Sequence, residues 1–428
     1  MEDISQLFRN ENKGKKVLLF AREPTGYGNL FREYGDKVIK NHLKVDSYEI
    51  LSDYPLKTDF YIDLNKYTKT DFTAEDYVFF ESVLDFEAII KNDRFFRIHI
   101  PYLEALNYIL NCSKFLLEFF RANKYDILVT NMPDCYVVDL LTQIARHFGV
   151  SVVSFCGSSF GKAHCRITER GEVNNVRDIS TEEIDDFIAG IQSKSVQPYV
   201  SSKKQVYQKV AKYYFTYKLK YLWHYLIQFK LLNNKNYRYL MTVVDTYPRN
   251  LLDIIGVSSL FTKNVESFKE LDNKKIVYIP LHYHPESTTE YWVPRENYLS
   301  YYPSLFKTIS NYSKRGYTVL VKEHTASYLR RERKVYKDIL AFKNTYLISP
   351  FVSTFEMFDI AEYIVVWTGT TGVEAIMADK KVVLAESEVY YSRGLLPFVG
   401  DEAKARSLTR KEKEEVARVC LESIVTIK

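Results

Sequence analysis

Residues 319–391 alternate apolar runs with amphipathic ones, and that alternation admits few folds. An apolar run over 319–324 ends in Lys322, Glu323 and His324. A helical pattern follows through Tyr336 and Ile339, then a short strand over 346–349. A helix over 355–360 leads to a strand over 363–367 and the loop Thr368, Gly369, Thr370, Thr371, Gly372. A second helix over 373–377 and a strand over 381–384 close the stretch. Strands alternating with helices predict a parallel sheet with right-handed crossovers. Ligands bind such sheets outside the carboxyl ends of the strands. Three polar clusters fall at those ends: Lys322 to His324, Ser349 with Ser353 and Thr354, and Thr368 to Gly372.

At 428 residues the chain exceeds one ordinary core, so two domains are expected. No run of 18 apolar residues predicts a membrane span, and the first residues lack a basic-then-apolar leader. Five unevenly spaced cysteines without a Cys-x-x-Cys pair predict reduced thiols in a cytosolic protein and no structural zinc.

The N-terminal half alternates as well. A strand over 15–20 runs into a loop over 21–29 that contains Gly26 and Gly28. Such a loop suits a phosphate or an ordinary strand-to-helix turn, since it lacks the full dinucleotide spacing. Short strands are predicted over 45–51 and 60–63. Leu103, Leu106, Ile109, Leu110, Leu116 and Leu117 recur at helical spacing. A strand over 125–130, a helix over 137–148 stopped by Gly149, and a strand over 150–155 follow. Asp93 and Asp134 lie near element ends, where a carboxylate either caps a helix or serves a site. Arg166, Arg170 and Glu172 either line a cleft or belong to a solvated loop.

Residues 203–244 contain no Asp or Glu. Lys203, Lys204, Lys209, Lys212, Lys218, Lys220 and Lys230 interleave there with aromatic residues in a helical pattern. A basic aromatic helix fits an anionic membrane surface. It also fits a long helix that packs its rings and lets its lysines reach water. Stacking on single-stranded nucleic acid is the third reading, and no nucleic-acid module supports it. Upstream of the organising stretch, a strand over 274–280 ends in His282, His284 and Glu286. These suit hydrogen bonds to a polar ligand; with His324 they would also approach a metal set.

Taken together, His-Tyr-His-Pro-Glu-Ser (282–287), Lys322-Glu-His, Tyr-Leu-Ile-Ser-Pro (346–350) with Ser353, and Thr-Gly-Thr-Thr-Gly-Val-Glu-Ala (368–375) resemble landmarks of the capsular and surface polysaccharide biosynthesis proteins. These are GT-B glycosyltransferases related to bacterial Kdo-transferases. Asp93-Arg94 and the 166–172 segment are similar to N-terminal landmarks of that family, so the resemblance spans residues 85–395. Departures are Thr325 where the family has Pro, Asp379-Lys380-Lys381 in place of Gly-Lys-Pro, and Tyr283-His284 in place of Tyr-Gln.

The resemblance implies an α/β protein with two Rossmann-like domains facing across a cleft. It implies an acceptor domain over 1–200, a basic-aromatic helical segment over 201–270 and a nucleotide-sugar domain over 271–428. The implied donor-binding residues are His282, Lys322, Glu323, Ser349, Ser353, Thr368, Gly369, Thr370, Thr371, Gly372 and Glu374. Catalytic roles would fall to Asp93, His284, Glu286 and His324, with Asp134 and His164 as further candidate bases. Arg94, Asp134, Arg166, Arg170 and Glu172 would bind the acceptor. The donor would be CMP- or UDP-linked, with no metal and no other cofactor. The partners would be a lipid-linked or polysaccharide acceptor and, through 203–244, the inner face of the cell membrane, with no nucleic acid. A nucleotide-sugar epimerase, a polyol-phosphate transferase and a non-catalytic subunit of a polysaccharide assembly are the alternatives.

Overall fold

The computed structural model describes residues 3–22, 28–54, 58–67, 72–158, 160, 163–193, 202–234, 236, 256–271, 275–284, 287–292 and 301–427. The chain divides into two compact units. The first comprises Met1–Asp178, Tyr221–Val243 and Leu421–Lys428, and the second Ile179–Lys220 and Val244–Cys420. Each is an α/β unit built on a largely or wholly parallel sheet.

The first sheet contains β1 (Val17–Ala21), β2 (Glu49–Ser52), β3 (Phe60–Tyr61), β4 (Ile127–Asn131), β5 (Ser151–Gly157) and β6 (His164–Ile167). The second contains β7 (Ile276–Pro280), β8 (Thr318–Lys322), β9 (Thr345–Ile348), β10 (Tyr363–Val366) and β11 (Lys381–Leu384). The last strand, β12 (Ile424–Thr426), returns to the first sheet. The order in the first is β12-β6-β5-β4-β1-β2-β3 and in the second β11-β10-β7-β8-β9. β1 and β4 are buried along their whole length, as are β10 and most of β7. That is why these strands read as unbroken apolar runs, since both faces of a parallel sheet are covered.

Each sheet has one point where the chain reverses its direction of travel. In the first, β1 leads outward to β2 and β3, while β4 leads the other way. In the second, β7 leads to β8 and β9, while β10 and β11 lie on its other side. These switch points, β1/β4 and β7/β10, open the crevices in which doubly wound sheets take ligands.

Three elements depart from the sequence reading. Residues 179–220 pack with the second unit rather than with 1–200: Gln192 donates to the Met377 carbonyl at 2.9 Å, and Val206 lies in the second core. The C-terminal strand belongs to the first unit, pairing Ile424 with Arg166. The 166–172 segment is neither a cleft lining nor a solvated loop at its start, because Arg166 lies within β6, buried and antiparallel to β5.

The basic-aromatic stretch is helical where it is described. An α-helix, Lys203–Lys220, continues into Tyr221–Leu231, whose turns are wider, with Leu232 N–H bonded to the Ile227 carbonyl. The part of the expected 203–244 helix that falls on 235 and 237–244 lies outside the described residues. Among the described residues, no helix is long and apolar enough to cross a membrane, and no disulfide joins the five buried cysteines.

Candidate functional site

The second switch point gathers side chains from three neighbouring strand ends. β7 delivers His282 and His284, β10 delivers the Thr368 to Gly372 loop, and β8 delivers Lys322 to His324. His282 ties two of these ends together. Its Nε2 accepts the Thr368 N–H at 3.3 Å, and its own N–H donates to the Tyr301 hydroxyl at 2.8 Å. A Cβ on Gly369 would stand 3.1 Å from the His282 ring, so a side chain there would press on the ring and require it to give by a few tenths of an ångström. Gly372 is more constrained, since a Cβ there would lie 2.1 Å from the Tyr391 hydroxyl. That hydroxyl donates to the Gly369 carbonyl at 2.8 Å and pins the loop from beneath. Gly369, Thr370 and Thr371 keep partial exposure at the crevice.

Below the crevice lies an ionic frame. Arg331 Nε and Nη2 donate to Glu323 at 2.9 and 3.1 Å, and both side chains are almost fully buried. Glu323 also accepts the Tyr336 hydroxyl and the His324 N–H, each at 2.6 Å. Arg331 further donates to the His282 carbonyl and the Tyr302 hydroxyl, each at 2.6 Å. The frame therefore fixes the ends of β7 and β8 against each other. It also corrects the sequence assignment of Glu323, whose carboxylate is consumed in the core and faces no ligand. Ser353 is likewise a helix cap, in a reciprocal box with Glu356. Ser349 lies one strand further out, accepting the Phe351 N–H at 3.3 Å. Thr354, rather than either serine, meets the site, as its hydroxyl accepts Lys322 Nζ at 3.2 Å.

Burial sets the charge states. It lowers the pKa of His282 to about 3, with His324 and Arg331 adding to the effect, so the ring is neutral. It lowers Lys322 to about 8, against the opposing pull of Glu374, Glu323 and Glu356. It raises Glu374 to about 7, against Lys322. His324 is lowered too, chiefly by the protein crowded around it, with Glu323 opposing and Arg331 and Lys322 adding, although the residue is exposed at the surface. Its Nδ1 accepts the Ala326 N–H at 3.2 Å. His284 bonds the Thr289 hydroxyl through Nδ1 at 2.9 Å and sits 4.8 Å from the Tyr301 ring, centroid to centroid. Glu286 lies outside the described residues. Among the described residues, no group of three His, Cys, Asp or Glu is placed to hold a metal ion.

The first unit uses its predicted residues differently. Asp93 is a cap, not a base. One oxygen accepts the N–H groups of Phe95 and Phe96 at 2.8 and 3.0 Å, the other that of Tyr136 at 2.7 Å, and the side chain is closed to solvent. Burial raises its pKa to about 6, and three backbone donors and Arg94 pull the other way. The switch point itself is occupied by Arg22, which the sequence reading passed over. Its Nη1 reaches both oxygens of Asp134 at 2.7 Å, and its Nε lies 3.5 Å from the buried Asp53. Arg94 donates to the Asp134 carbonyl at 3.1 Å.

Arg170 and Glu172 are not brought to this edge. β6 runs antiparallel, so the turn after it lies toward the opposite edge of the sheet. There Glu172 accepts the N–H groups of Glu169 and Arg170 at 2.5 and 2.7 Å, and Arg170 pairs with Asp139. His164 opens β6 and faces Thr426 in the β12 pairing.

No family model matches the chain, and no curated protein does. Solved structures similar to it include UDP-GlcNAc 2-epimerase from Neisseria meningitidis bound to UDP-GlcNAc, at 12% identity and a TM-score of 0.29 over 95% of this chain and 94% of that one. A beta Kdo 2,4 transferase, KpsC of Thermosulfurimonas dismutans, matches at 12% identity and a TM-score of 0.38 over 68% of this chain and 79% of that one. The S. aureus MnaA-UDP co-structure matches at 11% and 0.31 over 96% and 92%. None of the three bears on which ligand this site takes.

Proposed function

We propose that the second unit holds a nucleotide-sugar donor, CMP- or UDP-linked, and that the protein is a glycosyltransferase acting on a capsular or surface polysaccharide or its lipid-linked precursor. The observation that carries this reading is the convergence of His282, the Thr368 to Gly372 loop, Lys322, His324 and Glu374 on one switch point. The part-exposed Thr370 and Thr371 suit phosphate oxygens, and Glu374 suits a ribose diol. Lys322 would stabilise the negative charge that grows on the departing nucleotide. The His284 imidazole would take the proton of the acceptor hydroxyl, while His324, whose Nδ1 already accepts the Ala326 N–H, would contribute hydrogen bonding through its other ring nitrogen. Asp93, whose oxygens accept three backbone N–H groups, is not assigned that role in this reading.

Calorimetric titration with UDP and CMP tests the donor site, and a product assay with the corresponding sugar nucleotide tests the chemistry. Sugar appearing on a lipid-linked acceptor supports transfer. A rearranged sugar nucleotide formed without acceptor would make the protein an epimerase. Binding of neither nucleotide would leave a non-catalytic assembly role.

The same reading places the protein on the cytoplasmic face of a membrane. Along Tyr221–Leu231 the side chains of Leu222, Trp223, Leu226, Lys230 and Leu231 are exposed, at the spacing of one helical stripe. With no acidic residue over 203–244, that stripe is complementary to anionic lipid. Flotation with phosphatidylglycerol vesicles, lost when Leu222, Trp223 and Leu226 become serine, is the expected result. Equal flotation of wild type and variant would remove the membrane from the proposal.

A further inference from the structure

Lys322 and Glu374 are opposite charges in electrostatic reach of each other, yet they do not pair. Lys322 ends β8, Glu374 lies in the first turn of the helix Thr371–Met377, and both are more than nine-tenths buried. Among the described residues, no carboxylate comes within ion-pair distance of Lys322 Nζ, and the Glu374 carboxyl makes no hydrogen bond. What holds Nζ is the Thr354 hydroxyl, which accepts it at 3.2 Å. Thr354 is itself fixed twice. It opens the helix Thr354–Ile360, whose start is locked by the reciprocal box of Ser353 and Glu356. Its hydroxyl is also a hydrogen-bonding neighbour of the buried Tyr278 hydroxyl of β7. Pro280 of β7 lies opposite Lys322, so Tyr278 and Lys322 project to the same face of the sheet.

We propose that Thr354 is a positioning residue: by holding Lys322 Nζ it keeps the ammonium off the Glu374 carboxyl and leaves both groups open to the ligand. Two buried opposite charges that were free to meet would close into an ion pair, since each is costly alone. A closed pair would answer both groups before any ligand arrived. Held by Thr354, the ammonium spends one of its three donors and keeps two. The charge states agree with an open pair. Burial pulls Lys322 down to about 8 and pushes Glu374 up to about 7, whereas a closed pair would move each the other way. The other groups that act on the two are Glu323 and His324 after β8, Glu356 on the Thr354 helix, and Tyr278 on β7. Glu323 is taken by Arg331 and Glu356 by its cap, so neither competes for Nζ.

What the two groups are kept open to rests on the nucleotide-sugar reading, but the first measurement needs no nucleotide. Competitive acetylation, resolved by peptide mass spectrometry, reads the titration of Lys322 in full-length wild type, Thr354→Val, Thr354→Ser and the double variant Thr354→Val with Glu374→Gln. Thermal unfolding is the folding control, and Thr354→Ala replaces Thr354→Val if the valine variant does not fold. UDP and CMP are then titrated into the same proteins. In Thr354→Val the Lys322 midpoint should rise by about one pH unit or more as Nζ closes on Glu374. Nucleotide affinity should fall about tenfold, the range of a charge-assisted hydrogen bond. Thr354→Ser should match wild type in both, and the double variant should return the midpoint to the wild-type value or below. An unchanged midpoint in folded Thr354→Val would overturn the assignment, and nucleotide binding by the wild type would still keep the reading. A rise that persists in the double variant would overturn it too, because Glu374 would not be the cause. A rise reversed in the double variant, with neither nucleotide bound by the wild type, would sink the nucleotide reading and keep the assignment.

Discussion

The two switch points share a strand geometry and are filled in opposite ways. At β1/β4 the charges answer one another: Arg22 meets Asp134 and Asp53, and Asp93 is spent on three backbone N–H groups. At β7/β10 one pair, Glu323 and Arg331, is sealed inside as a frame. The groups left at the edge, His282, Lys322 and Glu374, are all pushed by burial toward their neutral forms. A carboxylate at a strand end is therefore not in itself a site. Burial disfavours the Asp93 charge as well, but three backbone N–H groups already answer it; a buried charge that the protein answers less fully is one a complementary ligand can stabilise.

The largest effect should come from breaking the frame. Arg331→Met leaves the Glu323 charge buried with only a tyrosine hydroxyl and a backbone N–H, at an expected cost of about 3–5 kcal/mol. Urea denaturation followed by hydrogen exchange should show the loss in the second unit and not in the first. A loss spread equally over both units would mean that the frame is not local.

Next in size is a pH effect that sharpens the contrast. Glu374 is raised from 4.5 to about 7, so the folded state binds more protons across that window. Its contribution to stability is present below pH 4.5 and falls as pH rises toward 7. Lys322 is lowered from 10.5 to about 8, so its cost is relieved only above pH 8. His282, lowered from 6.5 to about 3, runs against Glu374, adding stability as pH rises from 3 to 6.5. The comparison that isolates Glu374 is wild type against Glu374→Gln. Between pH 4.5 and 7 the variant should gain on the order of 2–3 kcal/mol relative to wild type. Parallel pH profiles would show that Glu374 is not held in its neutral form.

Gly372→Ala should cost about 1–3 kcal/mol, because the new Cβ meets the Tyr391 hydroxyl in a packed core. Nucleotide affinity should drop with it, since that hydroxyl positions the loop. Removing the nearest obstructing atom with Tyr391→Phe in the same chain, which leaves ring carbons at 2.8 and 3.1 Å, should restore part of the stability but not the loop's anchor. Full recovery of binding in the double variant would show that the Gly369 carbonyl needs no partner.

Much of this was readable in the sequence because it is local. β7 to β11 are apolar runs with polar ends, and Thr368 to Gly372 falls where the strand-helix alternation put it. What escaped depends on pairing between distant residues. β12 joins β6 across more than 250 residues, so 166–172 looked like a loop and the domain boundaries shifted. Arg22 and Asp134 are 112 residues apart and identify themselves only once β1 and β4 are neighbours. Glu323 and Lys322 carry adjacent charges in one motif, yet the strand pleat sends one into the core and the other to the edge. A motif gives residue types at a strand end, and only the packing around it decides which of them face a ligand.

The smallest effect is expected at the first switch point, from Asp134→Asn. Asn keeps the shape and one oxygen that can accept from Arg22, and Arg22 keeps Asp53 at 3.5 Å. What is lost is one charge, about a quarter exposed, in a pair that water already screens in part. Stability should fall by about 0.5–1.5 kcal/mol. UDP affinity, which the proposal assigns to the other unit, should stay within the error of the titration. The acceptor is the sharper probe, because the family resemblance gives Asp134 to acceptor binding while the structure gives its carboxylate to Arg22. If the carboxylate is only a counter-ion, the KM for a lipid-linked acceptor should be unchanged in Asp134→Asn. A rise in acceptor KM with kcat and UDP affinity intact would mean that Arg22 releases Asp134 to a substrate hydroxyl. In that case the first switch point would be a site with its ion pair as the resting state, and the contrast with the second would be one of occupancy rather than of kind.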